Sequence, residues 1–163
     1  MSMSVISTLN DVLIKAASGM TAAAMAVIAV VIPYEVFGRY VLGVMPVWSG
    51  EAATYALVWA SMMGSAVGLR KGYQVSLNIL VNKLPKVPFR VATGCMYAGM
   101  LVFLGLMTYF GMRQTVVNMH QLSTAIGIPM SLPYVALPAG FMLMLLITVE
   151  QCWIFFHSES KGG

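Results

Sequence analysis

Five acidic and nine basic side chains make up the formal charge of this 163-residue chain, and the acids inside or beside apolar runs are the first candidates for chemistry. Glu35 precedes Arg39 by four residues, which places both on one helix face with the acid N-terminal, the favourable order for an ion pair. Two readings follow. Charge within a membrane span is costly and usually purposeful, so Glu35 could couple transport to a proton or cation. Alternatively, the pair anchors the helix or docks a partner at an interface. Depth favours the second reading, because Glu35 lies roughly 28 Å along a helix begun at Ala16. Glu51 follows Ser49, a plausible N-cap. An acid in a first helical turn is favoured by the helix dipole without any catalytic role. Glu35, Arg39 and Glu51 therefore form one set for interfacial pairing or partner docking. Glu150 has Arg70, Lys71 and Arg90 as candidate partners. His120 and His157 fall outside the apolar runs, which leaves a haem between spans without axial ligands. Ser-His-Asp, glycine-rich phosphate-loop and H-E-x-x-H patterns are absent from the sequence. Cys95 and Cys152 stand singly in apolar runs and read as packing residues. The sequence predicts no catalytic, substrate-binding or metal-binding residue, and no cofactor in this chain.

The elements that carry these residues are set by composition. Hydrophobic residues make up 60% of the chain and charged residues 9%, with a mean hydropathy of +0.85. A soluble domain has about 45–50% apolar and roughly 25% charged residues, so polar surface is too scarce to coat a water-soluble globule. This excludes a cytosolic enzyme, a secreted disulfide scaffold and a nucleic-acid binder. The +4 charge is scattered among apolar runs and forms no phosphate-tracking stripe. Four runs are long enough to cross a hydrocarbon core, which takes about 20 helical residues. They cover approximately residues 16–40, 52–69, 91–112 and 132–156. Backbone in lipid must satisfy its own hydrogen bonds, so these runs are helices. The expected fold is an all-α integral membrane protein, a single membrane domain over residues 1–163 with four transmembrane helices.

Basic residues orient it. The connection between spans two and three holds Arg70, Lys71, Lys83, Lys86 and Arg90 and no acid, while the other connections hold only Arg39 and Arg113. The positive-inside bias predicts an N-in, C-in topology. Residues 1–13 carry Val5, Ile6, Leu9, Val12 and Leu13 at helical spacing and lack a basic n-region. They predict an interfacial amphipathic helix leading into an uncleaved span. Within the basic connection, residues 72–85 fit helical and strand periods alike. A lone strand would leave unpaired edges, so a short interfacial helix is expected, its basic residues near phospholipid headgroups. Arg70, Lys71, Lys83, Lys86 and Arg90 are then lipid-surface anchors, with Trp48 and Trp153 in the aromatic belts.

Packing surface is plainer than chemistry. Ala52, Ala56, Ala60, Gly64 and Gly68 recur every four residues in span two, the small-xxx-small geometry that lets another helix approach closely. They are the expected subunit-packing ridge. Gly94 with Ala98 and Cys95 with Gly99 extend the theme into span three. The connection between spans three and four, residues 123–134, is apolar for a loop. It reads either as a docking surface, through Ala125, Gly127 and Pro129, or as a re-entrant cap over the bundle. Pro133 fits the first turn of span four, where its missing N–H is harmless, and Pro138 would loosen the helix one turn later.

Together these residues resemble the small membrane subunit of tripartite ATP-independent periplasmic (TRAP) transporters. The matching features are Phe37-Gly38-Arg39-Tyr40, Trp48 with Glu51, Trp59 with Gly64, and a basic-Gly turn at Arg70-Lys71-Gly72. Further on come Ala125-Ile126-Gly127-Ile128-Pro129 and Pro138-Ala139-Gly140. The resemblance covers roughly residues 15–156. Where family members often carry a His and an Asp after the basic-Gly turn, this chain has Gln74 and Asn78. The resemblance implies a large membrane subunit as partner, which holds substrate and sodium and moves in an elevator-like way. It also implies transient contact with a periplasmic binding protein that captures an organic anion. C4-dicarboxylates stand slightly ahead of sialic acids and other carboxylates or sulfonates. The chain itself would be a scaffold in a bacterial inner membrane.

The alternative is a self-sufficient four-helix exporter that exchanges protons for cations at Glu35. That chemistry needs a carboxylate deep in the bundle with a raised pKa, whereas Arg39 beside Glu35 would act in the opposite direction.

Overall fold

A computed structural model describes residues 2–44, 46–81 and 86–159, with side chains described for 7–44, 46–72 and 93–155. Lys83 lies outside the described residues. So do Lys161 and the side chains of Gln74, Asn78, Lys86, Arg90 and His157. Four long helices account for most of the chain: α1 (Ser2–Phe37), α2 (Val47–Val81), α3 (Lys86–Val117) and α4 (Ser131–Glu159). All four carry stretches long and apolar enough to cross a membrane, at Ser7–Leu42, Val47–Gly72, Thr93–Val117 and Ser131–Phe155.

Two expected helices are not separate. Residues 2–15 continue α1 without a break, so no distinct amphipathic helix lies in the interface plane. Asn10 on this segment is buried, and polar groups packed on α4 hold it in line with the span. Likewise α2 runs straight through Arg70-Lys71-Gly72 to Val81. The expected turn and the short interfacial helix after it are the last part of α2. Gly72 costs only about 1 kcal/mol against alanine in a helix interior, too little to end one.

The end of α1 is different. Pro33 sits within its last turns, and Gly38–Leu42 then form a π-helical turn. Gly43 adopts φ +64°, and its N–H donates to the Gly38 carbonyl, which closes that turn. Val44 N–H donates to the same carbonyl at 3.1 Å. A left-handed φ is accessible to glycine without steric cost. Pro46 then precedes α2, and the Ser49 hydroxyl donates to its carbonyl at 2.7 Å. Ser49 therefore lies within the first turn of α2 and is not its N-cap, because the helix begins at Val47.

α1 packs on α2, α2 on α4, and α4 on α3, with a smaller contact closing α1 on α4. Small residues set these crossings, as expected where no hydrophobic effect separates helix from lipid. Ala17, Ala60, Ala66 and Ala136 are buried, with Met63, Ile147, Tyr97 and Leu104 filling the space between them. The Pro138-Ala139-Gly140 segment is the clasp. A Cβ at Gly140 would lie 2.8 Å from Met62 Cβ on α2, and one at Gly111 on α3 would lie 3.2 Å from Pro138 Cδ. Pro138 therefore marks a close helix contact within α4, which continues through it. Pro133 is buried in the first turn of the same helix.

Only 11–28% of the most apolar window of each span is buried inside the chain. Most apolar side chains therefore face outward, an arrangement suited to lipid or a neighbouring membrane protein and not to water.

Candidate functional site

The chemistry-bearing residues gather at two levels. At the first, Arg70 of α2 joins three helices. Its Nη1 donates to Glu150 Oε2 of α4 at 3.0 Å, and its Nη2 to Asp11 Oδ1 of α1 at 2.7 Å. Asn10 Nδ2 donates to the same Glu150 oxygen at 2.5 Å. The Glu150 side chain is 10% exposed, Arg70 22% and Asp11 60%. A forked guanidinium can serve two carboxylates at once, so one side chain ties α1, α2 and α4 together. Of the three candidate partners for Glu150, Arg70 is the observed one. Arg70 turns its guanidinium toward these two carboxylates within the chain. Lys71 beside it is exposed, as is Trp153. The sequence reading missed Asn10 and Asp11. The signal was the adjacent polar pair itself, with Asp11 four residues before Lys15.

The second level lies roughly 28 Å away, 19 residues back along α2 from Arg70 to Glu51, close to the thickness of a hydrocarbon core. Here Glu51 Oε2 accepts the hydroxyl of Ser123 and the N–H groups of Ala125 at 3.2 Å and Ile126 at 3.1 Å. Because α2 begins at Val47, Glu51 falls past the first turn where the sequence placed it, and it holds the connection between α3 and α4. That connection is a small closed turn. Ser123 N–H donates to the Ile128 carbonyl at 2.9 Å, and Met130 N–H to the Gln121 carbonyl at 2.8 Å. Leu122 and Pro129 pair as an antiparallel bridge. Gly127 takes φ +72° at the bend. Leu122 and Ile126 stay exposed on its surface.

Glu35 is half-buried near the start of α2, its Oε2 3.9 Å from where a Gly50 Cβ would lie. Arg39 sits in the π-helical turn, where the bonding pattern is i→i+5 and the phase assumed for an α-helical pair no longer applies. Trp48 is half-exposed and meets the Tyr34 ring at a centroid distance of 6.0 Å.

The small-residue ridge of α2 divides. A row at intervals of four winds roughly 160° around a helix over five members, since four residues exceed one turn. Ala60 is buried and Gly64 meets Thr21 of α1, whose Cγ2 would be 3.5 Å from a Cβ there. Ala52 and Ala56 are half-buried. Only Gly68 opens outward, with nothing within 4 Å of a Cβ. A different row is exposed instead: Gly50, Thr54, Leu57, Ser61, Ser65, Gly68 and Gly72, within an arc of roughly 80°. Sequence reasoning missed this seam because serine and threonine were left out of the count. Cys95, Ala98 and Gly99 of α3 are exposed too, so Cys95 does not pack inside the chain. Among the described residues, no group of three or more His, Cys, Asp or Glu could hold a metal ion.

Comparison with known proteins agrees with this architecture. The family model for the DctQ component of tripartite ATP-independent periplasmic transporters matches residues 28–156. The C4-dicarboxylate TRAP transporter small permease protein DctQ of Rhodobacter capsulatus is 35% identical over 106 residues, 63% of this chain. The match covers 46% of that relative, so the chain spans just under half of its length. The family match takes in the π-helical turn, the Glu51-held connection, the Arg70–Glu150 pair and the Pro138–Gly140 clasp, and with it the chain belongs to the DctQ component family of TRAP transporters.

Proposed function

We propose that this chain is the small permease subunit of a TRAP transporter, a scaffold that braces the large transport subunit during sodium-coupled, binding-protein-dependent uptake of an organic anion. The R. capsulatus relative is named for C4-dicarboxylates, which puts that substrate class ahead of sialic acids and other carboxylates or sulfonates. Sodium and substrate belong to the large subunit in this reading, and this chain carries neither them nor an enzymatic activity. The Arg70 level faces the cytoplasm and the Glu51 level the periplasm, in keeping with the basic segment after Arg70.

The observation that carries the scaffold role is the exposed seam of α2. Small residues are also exposed on α1 (Gly19, Ala22, Ala23, Ala26) and α3 (Cys95, Ala98, Gly99), but there they alternate with large apolar ones, such as Val102, Phe103, Leu106 and Phe110 on α3 or Met25, Val27 and Val30 on α1. Those suit lipid. Along α2 the outward residues between Gly50 and Gly72 are small, Leu57 and Lys71 excepted, which lets a neighbouring backbone approach closely.

Gly68→Leu tests this without disturbing the fold, since the space at Gly68 is open. The variant is expected to insert and to keep the wild-type melting temperature. Recovery of the large subunit in affinity purification should fall by about ten-fold or more, the loss expected from one displaced close contact of about 1–2 kcal/mol. Full recovery would refute the seam as the gripping face. In liposomes the chain alone should show no substrate-dependent proton flux, and flux abolished by Glu35→Gln would favour the exporter reading.

A further inference from the structure

The turn between α3 and α4 is built around a point that suits a hydrogen-bond acceptor, and an anion best. Three donors converge on it: the Ser123 hydroxyl and the N–H groups of Ala125 and Ile126. Ile126 N–H is shared with Ser123 Oγ at 3.2 Å. The turn does not depend on Glu51 for its own closure. The Ser123–Ile128 and Met130–Gln121 bonds, and the Gly127 N–H to the Ser123 carbonyl at 3.2 Å, all lie within it. Successive N–H groups aimed at one point form an anion-binding concavity, and here a single carboxylate oxygen fills it.

We propose that Ser123–Gly127 is a preformed receptor for one carboxylate, and that Glu51 is its resident ligand, a positioning residue that fixes the turn to the start of α2. A carboxylate fits because it only accepts, matching three donors, and charge-assisted hydrogen bonds are about twice as strong as neutral ones. The exposed side chains of Leu122 and Ile126 ride on this turn, so their placement follows the seating of Glu51. That they form part of the face offered to a periplasmic binding protein rests on the transporter reading; the receptor itself does not.

The test is amide hydrogen exchange followed by mass spectrometry on the purified full chain in lipid nanodiscs. In Glu51→Ala, exchange at the Ala125 and Ile126 amides should rise by about ten-fold or more, as expected for the loss of one or two net hydrogen bonds. Sodium formate, but not sodium chloride of equal ionic strength, should restore most of the protection by supplying the missing carboxylate. Glu51→Gln should fall between wild type and Glu51→Ala, since its carbonyl accepts without charge. Ser123→Ala, which leaves α2 intact, should raise exchange by less than Glu51→Ala. Unchanged protection in the core of α2 and α4 confirms that each variant is folded. Wild-type exchange in Glu51→Ala overturns the proposal, as does a rise that formate fails to reverse. Neither result needs a partner or transport, so either failure leaves the transporter reading standing.

Discussion

Gly140→Ala is expected to destabilise the protein by about 2 kcal/mol, and Gly140→Val by about 3 kcal/mol or more, within the usual range for overpacking a tight contact. A single methyl at this position would sit 2.8 Å from Met62 Cβ and 3.3 Å from the Met62 carbonyl oxygen. Neither atom is the free end of a flexible side chain, so the backbones of α2 and α4 must separate. That crossing joins α1 and α2 to α4 and α3, and the loss is felt across the whole molecule. A melting curve in mild detergent measures it, with Gly99→Ala as control. Nothing lies within 4 Å of a Cβ at Gly99, and its melting temperature should stay at the wild-type value or rise slightly. Equal melting temperatures for Gly140→Val and wild type would show that the close approach of α2 and α4 does not hold the fold.

Removing Glu150 should be the second most damaging single change. Glu150→Ala leaves Arg70 with the more exposed Asp11 alone and deprives the buried Asn10 amide of its acceptor. Breaking a fully buried ion pair costs about 3–5 kcal/mol. Arg70 retains some exposure, which lowers the expected loss to about 2–3 kcal/mol. Glu150→Gln keeps an acceptor for Asn10 and should cost less. Asp11→Ala should cost about 1 kcal/mol or less, because its carboxylate is largely solvated. The three variants are thus ordered Glu150→Ala, Glu150→Gln, Asp11→Ala by falling loss of melting temperature. If Asp11→Ala proved as damaging as Glu150→Ala, the inward half of this junction would not be its stronger half.

The four spans were legible because apolar length alone decides which segments can cross a bilayer. The identity of the family was legible in short motifs such as Pro138-Ala139-Gly140, although the reason for that spacing was not. Only the packed structure shows Pro138 against Gly111 on one neighbour and Gly140 against Met62 on the other. Helix ends were read less well. Gly72 resembled a stop, but lost helix propensity is small beside the continuity of a long helix. Long-range polar contacts were legible in part. Charge and depth left Glu150 with Arg70, Lys71 or Arg90, and packing selects Arg70, whereas Glu51 with Ser123 joins the start of α2 to a distant connection, and no local pattern marks it. The ridge at intervals of four was a true pattern with a mixed destination, because its rotation carries it from an internal contact to the outside.

The Arg70 junction spans nearly the whole length of the polypeptide, with Asn10 bonded to Glu150, 140 positions later. During synthesis, Asn10, Asp11 and Arg70 enter the bilayer long before their acidic counterpart on α4 exists. A chain cut short before α4 therefore leaves Arg70 with Asp11 alone and the Asn10 amide without its acceptor. Only with α4 in place does the second carboxylate join, so a product that stops before α4 differs chemically at this junction from one that contains it.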